Sequence, residues 1–207
     1  MKNIAVFVSG GGTNLGALIK AQNDGAIKNG RIMLVVSSSE KAYALKRAEN
    51  AGVETAVVNR KNYVNRDDFA KALSEVVKKQ KIDLIVLAGF MYVLPESFCR
   101  EYRNRIINVH PSLIPAFCGD GFYGIHVHEK VLEYGVKVTG ATVHFVNEIT
   151  DGGAIILQKA VEILDEDTPE TLQRKVMQQC EWQLLPRAVE LFCADRLEIK
   201  DRRVIIK

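Results

Sequence analysis

The chain has 207 residues, 47% of them hydrophobic and 26% charged, which excludes a disordered polymer and fits one domain of ordinary globular composition. Its 28 basic and 25 acidic residues leave a formal charge of +3, too slight to mark a nucleic acid or an anionic membrane as partner. No apolar run approaches the roughly 18 residues of a membrane span, and the run after Met1-Lys2-Asn3 is too short for a signal-peptide core, so a cytoplasmic protein is expected.

Ile4–Val8 is a continuous apolar run, as in a strand buried on both faces. Ser9-Gly10-Gly11-Gly12-Thr13-Asn14 follows, and then a helical pattern with Leu15, Leu18, Ile19 and Ile27 on one side. Arg31–Val36 reads as a second strand, Lys41–Asn50 as a helix closed by Gly52, and Val53–Val58 as a third strand. Asn65 caps the next helix with Asp68 three residues on, and Phe69, Leu73, Val76 and Val77 form its buried stripe. Ile82–Ala88 and Ile106–Val109 are further strands. Alternating strands and helices imply a parallel sheet with right-handed crossovers.

The pattern then changes. Pro111–Gly124 is a long loop, and His126–Tyr134 is helical. Val136–Val146 and Ala154–Leu164 are β-rich runs around Asn147–Gly153. Thr168 caps a long helix with Pro169 at its first position. Along it Leu172, Val176, Cys180, Leu184, Ala188 and Leu191 recur every three or four residues. Leu197–Ile206 reads as a terminal hairpin. The expected fold is α/β: a Rossmann-like open twisted sheet, parallel in its N-terminal half, with an antiparallel addition in the C-terminal half and helices on both faces. One domain over residues 1–207 is expected, with a phosphate-binding half (1–100) and a catalytic half (101–207).

The cysteines, Cys99, Cys118, Cys180 and Cys193, form no CxxC pair, so neither a disulfide framework nor a zinc ribbon is expected. Cys180 and Cys193 fall in the apolar helical pattern and read as small core residues. His126 and His128 have a spacing open to metal ligation, but no acid or cysteine cluster completes a site, and no metal is expected.

The glycine loop admits two readings. It is a turn that only joins strand to helix, or a cradle whose free N–H groups and helix dipole attract a phosphate. It lacks the Lys-Ser/Thr of a P-loop, its later Gly16 is one residue late for GxGxxG, and no acid ends the second strand at Ser37-Ser38-Ser39, so dinucleotide binding is not expected. Asn108 and His110, two apart on a strand, face the same way at the carboxyl end where open sheets bind ligands. An amide beside an imidazole suits acyl chemistry, stabilising an oxyanion while moving a proton; a polar strand end satisfied by turn hydrogen bonds is the other reading. Asp151 alone reads as a turn residue of Asp151-Gly152-Gly153, and His144, inside a strand, as a hydrogen-bonded core histidine.

In order and spacing, Ser9–Leu15, Asn108-Val109-His110-Pro111-Ser112-Leu113-Ile114-Pro115 and Asp151-Gly152-Gly153 together resemble the glycinamide ribonucleotide transformylases, folate-dependent formyltransferases of purine biosynthesis. The resemblance runs from about Ile4 to about Leu197. It implies transfer of a formyl group from 10-formyltetrahydrofolate, as cosubstrate, to the amine of 5'-phosphoribosylglycinamide. It implies a catalytic triad of Asn108, His110 and Asp151, a phosphate site at Gly12, Thr13 and Asn14, and a ribose contact at Glu181. It implies folate contacts at Arg66, at Met91, Tyr92, Val93 and Leu94, at Asn108, and from Glu148 to Asp151. Tyr92 stands where the family often has arginine, and Trp182 where histidine is common. A monomer or homodimer is expected. Rival readings are a hydrolase releasing formate from 10-formyltetrahydrofolate, a methionyl-tRNA formyltransferase and a non-catalytic nucleotide-binding module. The first two are disfavoured by the expectation that no further domain precedes Met1 or follows Lys207, the last by the pairing of Asn108 with His110.

Overall fold

The computed structural model describes residues 1–207. In chain order the strands and helices are β1 (Lys2–Val8), α1 (Thr13–Asn23), β2 (Gly30–Ser37), α2 (Tyr43–Asn50), β3 (Glu54–Val57), α3 (Arg66–Lys79), β4 (Leu84–Leu87), α4 (Glu96–Glu101) and β5 (Ile106–His110). There follow α5 (Ile125–Tyr134), β6 (Val138–Phe145), β7 (Ile155–Glu162), α6 (Pro169–Val176), a π-helical turn (Met177–Glu181), α7 (Trp182–Cys193), β8 (Leu197–Lys200) and β9 (Arg203–Ile206). They form one sheet in the order β3-β2-β1-β4-β5-β6-β7-β9-β8. β1 to β5 pair in parallel; β6 runs antiparallel to β5 and β7 to β6, as expected. The terminal hairpin β8–β9 extends the sheet, β9 meeting β7 in parallel through Ile155 and Arg203.

Each face of the sheet has its own helices because alternate strand residues point to opposite sides. Ile4, Val6 and Val8 pack with residues of α1, α2, α5, α6 and α7, among them Leu18, Ala48, Val131, Val176 and Val189. Ala5 and Phe7 pack on the other side with Phe69 and Leu73 of α3 and Phe98 of α4. Each fully buried large side chain of this kind contributes about 1.5–3 kcal/mol. Asn65 caps α3 by accepting the Asp68 N–H at 2.8 Å. Thr168 and Thr171 form a reciprocal cap at α6, each hydroxyl accepting the other's N–H.

Two expectations need correction, at Ile27 and in the long C-terminal helix. Ile27 is buried but lies beyond the end of α1, in the connection to β2. Between β4 and β5, the short α4 buries Phe98 and Cys99. The long C-terminal helix is broken by the π-helical turn, and Pro186 sits inside α7.

The strand order reverses between β1 and β4. Open α/β sheets bind ligands at such a switch point, beyond the carboxyl ends of the strands. The glycine loop leaves β1 there, and residues 88–95 leave β4 beside it. Ser9 joins them: its Oγ accepts the Met91 N–H at 2.9 Å and the Ser38 hydroxyl at 2.6 Å.

Candidate active site

Gly12 begins α1 in the left-handed region, at φ +69°. A Cβ there would stand 2.6 Å from Ala44 Cβ and 2.9 Å from Ala44 Cα, so α2 packs against the loop where only glycine fits. Gly10 and Gly11, by contrast, face open space. No side chain caps α1, which leaves the first-turn N–H groups available to a ligand. The Asn14 side chain donates from Nδ2 to Glu181 Oε2 at 2.6 Å. Its Oδ1 has no partner. Burial pushes the Glu181 carboxyl above the usual range, against the hydrogen bond from Asn14. The π-helical turn carries Glu181 inward to this contact. The phosphate and ribose residues implied by the resemblance thus meet across the two halves of the chain.

The β5–β6 ladder builds the candidate catalytic centre. Asn108 pairs with His144, and His110 with Thr142, so these side chains share one face. Asn108 Nδ2 donates to His144 Nε2 at 3.2 Å, and His144 Nδ1–H donates to the Phe145 carbonyl at 2.8 Å. His110 Nε2–H donates to the Phe117 carbonyl at 2.9 Å, leaving Nδ1 as the open position. Asp151 lies between the imidazoles, Oδ2 at 3.5 Å from His110 Nδ1 and Oδ1 at 3.5 Å from His144 Nε2. Oδ2 also accepts the Gly119 N–H at 2.9 Å. Thr142 Oγ1 donates to the Ser112 carbonyl at 2.7 Å and accepts the Ile114 N–H at 3.1 Å, holding the loop after Pro111.

The turn that presents Asp151 is sterically fixed. Asp151 has φ +54°. A Cβ on Gly152 would meet Ile149 at 2.7 Å, and one on Gly153 the Phe145 carbonyl oxygen at 1.7 Å. Gly152 N–H closes the turn on Ile149 O at 2.9 Å. Asp151 is therefore a turn residue whose carboxylate is aimed into the site.

Burial dominates the titration of His110 and lowers its pKa; the Asp151 charge and the Phe117 carbonyl oppose this without overturning it, so His110 rests neutral near pH 7. For Asp151, burial raises the pKa. The adjacent His144 and His110 imidazoles and the Gly119 N–H outweigh it, and the carboxyl ends below its ordinary value. His144, which reads in the sequence as a core histidine, is buried and hydrogen-bonded, but its partners are site residues. Its register opposite Asn108 is the signal that would have found it.

Asn108, His110, Asp151, His144, Met91–Leu94 and Glu148 line one cleft of about 360 Å³ beneath the loop 119–124. Met91 and Val93 are exposed. The Tyr92 ring meets Phe69 and Phe90 edge-on, at 6.3 and 6.1 Å between centroids. Arg66 is not brought to this cleft: it is exposed in the first turn of α3, without a hydrogen bond or ion pair. A larger groove, about 740 Å³, runs between α1 and α7 and holds none of Asn108, His110 and Asp151; convergent polar groups, not size, mark the site. His126 is exposed and pairs with Glu129 at 2.7 Å, whereas His128 is fully buried, so they face apart, and no cluster of metal-binding side chains occurs.

An amide, a neutral imidazole and a carboxylate thus converge at the carboxyl end of an open α/β sheet, beside an uncapped glycine-loop helix, an arrangement suited to acyl chemistry. Residues 2–189 match the formyl transferase family, and the chain belongs to that family. It is similar to phosphoribosylglycinamide formyltransferase of Haemophilus influenzae, 40% identical over 97% of this chain and 92% of that one. The crystal structure of glycinamide ribonucleotide transformylase 1 from Symbiobacterium toebii superposes with a TM-score of 0.93 at 42% identity, covering 100% of this chain and 94% of that one. A formyltetrahydrofolate deformylase from Pseudomonas syringae pv. tomato shares the fold, with a TM-score of 0.88 at 26% identity over 99% of this chain and 65% of that one. No helix is long and apolar enough to cross a membrane.

Proposed function

We propose that this enzyme transfers the formyl group of 10-formyltetrahydrofolate to the amine of 5'-phosphoribosylglycinamide, by direct attack through a tetrahedral intermediate. The observation that carries the reading is the Asn108–His144–Asp151–His110 constellation next to a glycine loop that leaves helix N–H groups free. The higher identity to the formyltransferases than to the deformylase favours transfer to an amine over transfer to water.

The ribonucleotide phosphate sits at the first turn of α1, with Gly12 and Thr13, and Glu181 accepts from the ribose. The folate occupies the cleft lined by Met91–Leu94 and Glu148–Asp151. The amine nitrogen attacks the formyl carbon, and the carbonyl oxygen takes the negative charge. Of the two Asn108 Nδ2 hydrogens, one is held by His144, and the other faces that oxygen. Neutral His110 accepts the proton released by the attacking nitrogen at Nδ1, and Asp151 stabilises the imidazolium formed. The proton then passes to N10 of the folate as the N10–carbon bond breaks. Holding both substrates in one crevice supplies proximity.

The test measures consumption of 10-formyltetrahydrofolate with and without 5'-phosphoribosylglycinamide. Consumption that depends on the ribonucleotide, with formylated ribonucleotide as product, supports the reading. Formate released at the same rate without it establishes the hydrolase instead.

A further inference from the structure

We propose that Arg47, on α2, is a positioning residue for the substrate phosphate: it holds the Gly11 carbonyl toward α2 and sets a fixed cation beside the first turn of α1. The inference rests on the glycine loop being the phosphate site. A loop that presents N–H groups to an anion must direct its carbonyl oxygens elsewhere, because their dipoles repel negative charge. Here the first turns of α2 take them. Ala44 N–H binds the Gly10 carbonyl at 3.0 Å, and Arg47 Nε–H binds the Gly11 carbonyl at 2.8 Å. The close packing of Gly12 on Ala44 fixes the loop between them.

The Arg47 guanidinium is held but not neutralised. Its carbon lies 5.1 Å from the centre of the Tyr43 ring. Its Nη groups make no hydrogen bond with the protein, and no carboxylate oxygen lies within 4.0 Å of them. Nη1 would stand 3.5 Å from a Cβ on Gly16, so the charge lies alongside the uncapped turn.

The test is calorimetric binding of 5'-phosphoribosylglycinamide and of its dephosphorylated form, over a range of salt, to the wild type and to Arg47→Ala, Arg47→Lys and Gly11→Val. Arg47→Ala is expected to weaken binding of the phosphorylated ligand about tenfold, the effect of one charge-assisted hydrogen bond, and to leave the dephosphorylated ligand and the folate unaffected. Its salt dependence becomes shallower, because a cation near the phosphate is gone. Arg47→Lys retains the slope but recovers only part of the affinity, since an ammonium keeps the charge without the Nε–H. A purely structural role would not move the slope. Unchanged discrimination between the two ligands in Arg47→Ala, with Gly11→Val abolishing it, overturns the role of Arg47 and leaves the phosphate site standing. Unchanged discrimination in both variants overturns the phosphate site itself.

Discussion

Replacing Asp151 with asparagine keeps the shape of the turn and an acceptor for the Gly119 N–H, and removes one negative charge. At 3.5 Å from His110 Nδ1, and at an effective dielectric constant of about 20, that charge attracts an imidazolium by about 4–5 kcal/mol. The asparagine carbonyl dipole restores part of this, so a net loss of about 2–4 kcal/mol is expected once the proton is on His110, or about 30- to 1000-fold in kcat. The direction of the pH effect follows from the same contact. Burial lowers the His110 pKa, and Asp151 is the larger of the two influences opposing burial. Without it the pKa falls further, and the acid limb of the pH–rate profile, where neutral His110 becomes protonated and cannot accept a proton, moves to lower pH. The assay is kcat against pH, by loss of the folate formyl group, on variants whose thermal unfolding shows an intact fold. In the His110→Ala background, Asp151→Asn adds less than about threefold, because the two residues act as one unit. An unmoved acid limb, or fully additive losses in the double variant, refutes a role for Asp151 through His110.

Asn108→Ala removes the oxyanion donor and lowers kcat by about 10²–10³-fold with little change in KM for either substrate, measured in steady state. Gly12→Val and Gly11→Val separate fold from binding. The first forces a branched side chain into a left-handed residue against Ala44, costing about 1–3 kcal/mol and about 3–10 °C in thermal unfolding; the second folds normally and binds the ribonucleotide at least tenfold more weakly. Gly153→Ala drives a Cβ into the Phe145 carbonyl, so calorimetry shows lowered stability and assay a loss of activity as Asp151 is displaced.

Local pattern carried much of this in the sequence. The apolar run before Ser9-Gly10-Gly11-Gly12 and the spacing of Asn108 and His110 are short-range facts, and β1, the glycine loop, α1 and β5 stand where they imply. The π-helical turn also left a trace. Leu172, Val176, Cys180, Leu184 and Ala188 are spaced by four, each step overshooting a turn of about 3.6 residues, and all are buried. One extra residue in a π turn absorbs the accumulated drift, and the same shift brings Glu181 inward. What needed the fold was set by pairing at a distance. His144 joins the site only because β6 is antiparallel to β5 in a particular register. Asn14 meets Glu181 across 167 positions of chain. Arg66 matched by position, yet its helix leaves it exposed and outside the cleft.

The loop between β5 and α5 touches both His110 and Asp151 through its main chain: the Phe117 carbonyl receives His110, and the Gly119 amide binds Asp151. Peptide groups are common to every residue type, so what this segment supplies is a path, not an alphabet. Phe117 at φ +50°, Gly119 at +89° and Gly121 at +88° set that path. Exchanging the exposed Asp120 or Tyr123, which line the cleft, would redraw its roof while the main-chain contacts to His110 and Asp151 stayed in place. The shape of the cleft can therefore be rewritten along this stretch with His110 and Asp151 still held by the same peptide groups.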